Sequence, residues 1–250
     1  MIPDLPIMTM DLSEKTRALE QKLACLFSVR KPFSEHLLKW EDPALPDKYD
    51  HNCFEYITQP TAAEFERALD YQKSLGASFL KLEGNHPLED AFGLEPGITL
   101  TMALLEEKTH WRRNDRLTFR TPALAELEEI EVRHFGPLYG EDFSRRNIRQ
   151  LYEKLDFHGA YLDDRLIGAC YSFSADEITC IDGLIVDQAY RHQYAATSLL
   201  GHIRAVHPEN LMLLHADDDD TPKELYLKMG FQIVDRLYEY LRTDLQSNSG

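Results

Sequence analysis

Apolar positions along the chain recur at two spacings, and the spacing switches repeatedly. Leu12, Leu19, Leu23 and Leu26 fall on one side of a helix predicted over Asp11 to Phe27. A Pro-rich loop follows (Pro32, Pro43, Pro46), running into Tyr49-Asp50-His51-Asn52. Next come a short strand from Cys53 to Ile57 and a helix from Thr61 to Leu75 that stops at Gly76. Ser78 to Leu82 reads as strand, Pro87 to Phe92 as helix, and Ile98 to Leu105 as strand. The polar stretch His110 to Arg116 breaks the pattern and marks an expected domain boundary, giving domains 1–115 and 116–250.

The second half is more regular. It opens with a strand, Leu117 to Arg120, and a helix starting at Thr121-Pro122 with Leu124, Leu127 and Ile130 facing one way. A second helix, Ser144 to Leu155, leads to strands Gly159 to Leu162 and Leu166 to Ser174, joined by the turn Asp163-Asp164-Arg165. The apolar run Ile178 to Val186 passes through a short polar turn into a helix from Ala195 to Val206, followed by the strand Leu211 to Ala216. Thr221-Pro222 starts a last helix, ending at Gly230, with Pro at the favoured first-turn position. The strand Phe231 to Leu241 closes the pattern. Alternating strands and helices predict an α/β or α+β fold with a mixed sheet. Leu225-Tyr-Leu-Lys-Met-Gly-Phe231 has a weaker echo in Leu88-Glu-Asp-Ala-Phe-Gly-Leu94, with the same order of elements around it, which suggests an internal duplication.

Composition narrows the partners. A hydrophobic share of 43% and a charged share of 28% are those of an ordinary globular protein. The formal net charge of -16 argues against nucleic acid or an anionic membrane and leaves room for a cationic substrate. Cys25, Cys53, Cys170 and Cys180 show no CxxC or CxxH spacing, so they are expected to be buried free thiols of a reducing compartment. The N-terminus lacks the pattern of a signal peptide, and no apolar stretch is long enough to span a bilayer, so a cytoplasmic location is expected. The sequence leaves room for a homodimer.

The turn after Val186 carries the clearest chemistry. A strand that turns tightly into a helix aims the helix's free backbone N–H groups, and the positive end of its dipole, at whatever sits above the turn. Arg191 adds a cation there. The arrangement suits a phosphate, and equally it is the ordinary way to join a strand to a helix.

Residues 117–243 resemble the GNAT superfamily of N-acetyltransferases. Arg191-His-Gln-Tyr-Ala-Ala196 resembles the family's pyrophosphate signature, Arg/Gln-x-x-Gly-x-Gly/Ala, and Leu225-Tyr-x-Lys-x-Gly-Phe231 resembles its second landmark. The order of elements, including the hairpin Gly159 to Ser174, matches the family layout. The N-terminal half resembles only the later portion of that fold, without a phosphate turn, as a degenerate first copy in a tandem arrangement. Tyr194 stands where the family usually has Gly, Gln188 where it often has Pro, and Pro222 where Ala is common. A tyrosine at 194 can still serve if that residue is helical, because the phosphate donors are backbone groups.

The resemblance implies acetyl-CoA as donor and a primary amine, on a small molecule or a peptide, as acceptor. It places the pyrophosphate on Arg191, His192, Gln193, Tyr194, Ala195, Ala196 and Thr197, and the cofactor arm on Asp219, where many members carry Asn. A backbone N–H within Leu184, Ile185 and Val186 would stabilise the thioester oxygen, a contribution of ~2.7–4 kcal/mol in acyl-transfer enzymes. Tyr226 falls on the family tyrosine that protonates the leaving sulfur; its other reading is a core tyrosine. Asp182 is the candidate base. With a strand period of two, residues 180, 182, 184 and 186 share a face, which places Asp182 in an apolar setting that would raise its pKa. The competing account is a carboxylate capping a bulge at Gly183, and His215 is the alternative base. The acidic run Asp217 to Asp220 is either a solvated loop or an attractor for a cationic acceptor; adjacent carboxylates do not converge on one ion, so no metal is expected. Tyr49 to Asn52 is read as turn chemistry or as a contribution to the cleft.

Overall fold

The structure, a computed structural model, describes residues 8–106, 111–219 and 222–245. In chain order it contains α1 (Met8–Ala24), β1 (Val29–Pro32), β2 (Leu37–Glu41), a 3-10 turn (Tyr49–His51), β3 (Phe54–Tyr56), α2 (Ala62–Ser74), β4 (Leu80–Gly84) and β5 (Glu95–Leu104). There follow β6 (Thr118–Arg120), α3 (Leu124–Tyr139), α4 (Glu141–Tyr152), β7 (Asp156–Leu162), β8 (Arg165–Ala175) and β9 (Ile178–Val186). A second 3-10 turn (Gln188–Tyr190), α5 (Ala195–Val206), β10 (Leu211–Asp217), α6 (Pro222–Met229) and β11 (Phe231–Arg242) complete it. Among the described residues no helix is long and apolar enough to cross a membrane.

Two compact units emerge. One comprises the described parts of Met1–Thr101, Ala216–Lys223 and Ile233–Gly250; the other comprises those of Met102–His215 and Glu224–Gln232. In the first, the strands run β1-β2-β3-β4-β11. The only parallel pair among these is β3 with β4, registered Phe54 with Leu82 and Glu55 with Glu83. On one face, Leu80 and Leu82 join Leu37, Phe54, Tyr56 and Tyr240 to pack against Phe65, Ala68 and Leu69 of α2. Burial of each such side chain contributes about 1.5–3 kcal/mol. Alternation sends Lys81 and Glu83 to the other face, where Lys81, only 5% exposed, holds Asp50, Glu83 and Glu239. Burial pushes the Glu83 carboxyl up despite the adjacent ammonium.

Sequence periodicity and structure part in this unit at two places. The Pro-rich segment contains a hairpin, β1 with β2, rather than loop alone; Pro32 sits at the end of an edge strand, where a missing N–H costs no ladder bond. Pro87 to Phe92 forms no helix. The Gln59 side-chain oxygen takes the Glu89 N–H, the Asp90 carboxylate takes the Phe92 N–H, and Phe92 and Gly93 have φ of 53° and 72°. The first copy of the repeated heptad is thus a loop, although α2 and β4 precede it and β5 follows. Tyr49 to Asn52 is structural: His51 Nδ1 lies 2.9 Å from Asp42, and Asn52 donates to Leu45 and Lys48 carbonyls. Three of the four cysteines are buried as expected, while Cys25 is exposed.

In the second unit the order is β10-β9-β8-β7-β6, antiparallel except for β9 with β10. The β9-α5-β10 crossover is the connection a parallel pair requires. Neighbouring residues of β7 show the two layers: the Phe157 ring meets Tyr152 of α4, whereas the His158 ring meets His202 of α5. The helices α4 and α5 therefore cover opposite faces.

Candidate functional site

The register of β9 against its neighbours builds the site. With β10 it pairs Ile178–Ile181 to Leu211–Leu214 and stops, although β9 continues to Val186 and β10 to Asp217. The sheet splays there, and residues 182–186 present a backbone edge that β10 does not occupy. A bulge accompanies the splay. Tyr171 of β8 faces Asp182 but Ala169 faces Ile185, so β9 carries one extra residue, with Gly183 at φ 60°. A side chain at 183 would be strained at that φ and would also collide with the Tyr171 ring, 2.5 Å from an ideal Cβ.

The bulge corrects the strand argument. Asp182 shares its face with Ile185, and Val186 points to the other face with Gly168, so residues 180, 182, 184 and 186 do not form one row. Nor is Asp182 desolvated as the apolar run suggested, because its side chain is 44% exposed. Its Oδ1 accepts the Gly183 N–H at 2.6 Å, and its Oδ2 lies 3.9 Å from His215 Nδ1. The bulge-capping role therefore falls to a partly exposed carboxylate that also lies beside His215. Sequence reasoning missed Tyr171, which is registered opposite Asp182, packs its ring against Gly183, and has its phenol pushed well above the ordinary range by burial and then by the Asp182 charge. The available signal was a phenol inside the otherwise apolar run Leu166–Tyr171.

The turn that follows is held by Asp187. Its carboxylate is enclosed and accepts from the Ala189 N–H at 3.1 Å, from Arg133 at 2.6 Å and from Arg165 at 3.2 Å. Burial pushes this carboxyl up, but those donors outweigh burial and hold it below its ordinary range. Arg191, His192, Gln193 and Tyr194 are all exposed, and His192 and Tyr194 have φ of 62° and 63°. Tyr194, at the N-cap of α5, is left-handed rather than helical as its tolerance had required. It adopts the conformation that glycine would supply. Its ring turns outward, 43% exposed, and its hydroxyl accepts from Arg112 at 3.0 Å.

No side chain caps α5. The first bond back to the cap is Ser198 N–H to the Tyr194 carbonyl, so the N–H groups of Ala195, Ala196 and Thr197 precede the helical ladder. Two of these residues are alanines, which do not obstruct the approach to the donors. Thr197 turns its hydroxyl inward, to the carbonyls of Arg112 at 2.5 Å and Tyr194 at 3.1 Å. The structurally equivalent crossover helix of the other unit differs. In α2 the Glu64 N–H bonds Thr61 Oγ1, and the Glu64 carboxylate reaches back to the Thr61 N–H at 2.9 Å, closing a capping box. A carboxylate occupies the place where α5 offers donors.

The remaining predicted residues are dispersed. Leu184 and Val186 are half-buried and Ile185 is buried on the splayed edge. Tyr226 lies 7% exposed on α6, its ring edge-on to Phe231 at 6.0 Å; Trp111 stacks on the same Phe231 and donates to the Met229 carbonyl at 2.9 Å. Asp219 is exposed and belongs to the first unit, not to the unit holding the turn. In the same run Asp218 pairs with Lys223 at 2.6 Å, and Asp220 lies outside the described residues.

The uncapped donors of α5 suit phosphate, and the end of β9 beside them presents a strand edge that β10 does not occupy. Comparison with known proteins agrees with the geometry. Residues 124–231 match the family model described as acetyltransferase (GNAT) family. A conserved, functionally unknown protein from Staphylococcus epidermidis is 17% identical, with TM-score 0.73, over 87% of this chain and 94% of that one. A GCN5-related N-acetyltransferase from Kribbella flavida is 14% identical, with TM-score 0.61, over 91% and 94%. A tandem GNAT protein from the clavulanic acid biosynthesis pathway is 14% identical, with TM-score 0.52, over 82% and 78%. No curated protein sequence matches the chain. At such identities the solved structures speak for the fold, a mixed α/β GNAT fold, and the family model for the sequence. Residues 124–231 therefore match the GNAT acetyltransferase family in sequence, within a chain that has a GNAT fold.

Proposed function

We propose that this protein transfers an acetyl group from acetyl-CoA to a primary amine on a small molecule or a peptide, within residues 116–250. The observation that carries this reading is the uncapped N-terminus of α5 following directly on the splayed end of β9. The pyrophosphate lies on the N–H groups of 195–197, with Arg191 beside it. The thioester lies along 184–186, where a backbone N–H meets the oxygen as charge develops. The amine attacks the carbonyl carbon, a base near Asp182 takes its proton, and the Tyr226 hydroxyl protonates the departing sulfur. The net charge of -16 favours a cationic acceptor. A reducing, cytoplasmic setting suits the three buried free thiols.

Residues 1–115 are proposed to be a degenerate copy that binds no acyl-CoA. The Glu64 carboxylate at the start of α2 repels phosphate, and the Tyr56 ring lies against Gly84 between the paired strands β3 and β4. A second reading, a non-catalytic acyl-CoA-binding or interaction module, draws on Tyr194, whose left-handed backbone and outward ring stand where the family's glycine leaves room. Isothermal titration with acetyl-CoA tests the first reading: no heat of binding at millimolar ligand would sink it. If acetyl-CoA binds, a screen of amine acceptors separates enzyme from binding module.

A further inference from the structure

At the point where β9 leaves β10, three polar side chains from three adjacent strands share one face of the sheet. Tyr171 on β8 is registered with Asp182 on β9. The parallel register ends at Ile181 with Leu214, one residue short of Asp182 and His215. Asp182 is the hub. Its Oδ1 accepts the Gly183 N–H, its charge acts on the Tyr171 phenol across the register, and its Oδ2 lies 3.9 Å from His215 Nδ1. The same Nδ1 is 3.9 Å from Cys180 Sγ. One edge of the imidazole thus faces a carboxylate, which favours a proton on Nδ1 and leaves basicity on Nε2. The bulge holds the carboxylate in place from its backbone, and the Tyr171 ring, packed over Gly183, holds it from the side.

We propose that His215 takes the proton from the acceptor amine, with Asp182 and Tyr171 as positioning residues. This assignment rests on the acyl-transfer reading above. As nitrogen attacks, the N–C bond forms and the C–S bond breaks. The electron pair leaves on sulfur, which takes the Tyr226 proton; the nitrogen's surplus proton passes to His215 Nε2. Solvent then removes a proton from the imidazolium and returns one to the Tyr226 phenolate. Asp182 stabilises the imidazolium without itself taking the proton, as the orienting carboxylate does in hydrolytic triads. The 3.9 Å separation is longer than a hydrogen bond, as catalytic contacts often are without ligand. Among the groups that face the imidazole are Cys180 and Asp182 of β9, and Tyr171 of β8 lies across the register from Asp182. Behind Tyr171, Glu131 of α3 acts on that phenol.

Two measurements on the full chain test the assignment. In protein carrying 13C-labelled histidine, the His215 resonance is identified by its loss in H215Q and followed against pH in wild type, D182N and Y171F. The expected result is that D182N moves its titration to lower pH and Y171F moves it in the same direction by less, while His158 is unaffected. A His215 titration in D182N that coincides with wild type overturns the coupling. In acyl transfer from acetyl-CoA to the acceptor found by the screen, H215Q should lose about 100-fold or more in kcat, at unchanged acetyl-CoA affinity. D182N and Y171F should fall between and displace the acid limb of the kcat/KM profile. An undiminished kcat in H215Q overturns the role of His215. Failure of the wild type to bind acetyl-CoA strikes the acyltransferase reading and the base role that rests on it, whereas the titration arm, which contains no ligand, still tests the Asp182–His215 coupling separately.

Discussion

Position 194 offers the sharpest test of the phosphate turn. Tyr194 caps α5 with φ 63° and ψ 19°, in the left-handed region. For any residue with a Cβ that conformation costs about 1–2 kcal/mol. Alanine there pays the same cost and also loses the contacts to Arg112, a 3.0 Å hydrogen bond and a guanidinium 5.9 Å from the ring centroid. Glycine escapes the backbone cost but loses about 0.5–1 kcal/mol more in conformational entropy on folding. The Tyr194→Gly variant should therefore exceed Tyr194→Ala in stability by about 0.5–1 kcal/mol. In an ordinary helical position the order is reversed, with glycine about 1 kcal/mol worse. The predicted sign is thus opposite to the default. Relative to wild type, glycine gives up the exposed Arg112 contact, about 0.5–1 kcal/mol, and comes out close to neutral. Urea denaturation of the three proteins measures this directly. In thermal melts the Gly–Ala difference amounts to about 1–4 °C for a chain of this length. A Tyr194→Ala protein at least as stable as Tyr194→Gly would refute a left-handed residue 194, and with it the turn geometry from which the phosphate site is argued. Acetyl-CoA should bind Tyr194→Gly no more weakly than wild type, since its proposed donors are backbone N–H groups.

Other expectations follow from neighbouring features. Gly183→Ala places a methyl at φ 60° against the Tyr171 ring, so it should cost about 2–4 kcal/mol of stability, seen in denaturant titration; a change below a few tenths would remove the bulge from the account. Thr61→Ala opens the capping box of α2 and should cost about 0.5–2 kcal/mol, without effect on acetyl-CoA binding by titration calorimetry. Burial, then the nearby His202, depress the His158 imidazole from 6.5 to about 4. The unfolded chain therefore binds more protons than the native one between those values, and stability present above pH 6.5 is lost as pH falls toward 4. The loss amounts to roughly 2–3 kcal/mol, and His158→Gln should flatten that part of the stability–pH curve; an unchanged slope counts against the burial argument. Tyr226→Phe should lower kcat with little change in acetyl-CoA affinity, and an unchanged rate would leave Tyr226 as a packing residue beside Phe231.

Much of the fold is legible from local signals. The strand Ile178 to Val186 and the helix Ala195 to Val206 match their predicted bounds, because long periodic runs bury one continuous face whatever else surrounds them. The alternation of elements and the paired landmarks at 191–196 and 225–231 were enough to indicate the fold, and the family match at 124–231 agrees. Short, non-periodic segments failed. The β1–β2 hairpin hides among prolines, and the loop at Pro87 to Phe92 takes its hydrogen bonds from the side chains of Gln59 and Asp90, one of them distant in sequence.

The site divides along the same line. Sequence alone named the residues that could carry the chemistry: the turn Arg191 to Ala196 after an apolar strand, Asp182 within that strand, and the tyrosine of the second landmark. Only the tertiary structure decided how they face. One inserted residue at Gly183 reverses every side chain beyond it, so Val186 leaves the face of Asp182 and Ile185 takes its place. Strand period is a local property and cannot foresee that insertion, which depends on what the neighbouring strand places opposite. Tyr171 stands there, and its contact with Asp182 spans eleven positions that no periodicity connects. The left-handed backbone at Tyr194 was likewise imposed by the turn between β9 and α5, against that residue's own preference.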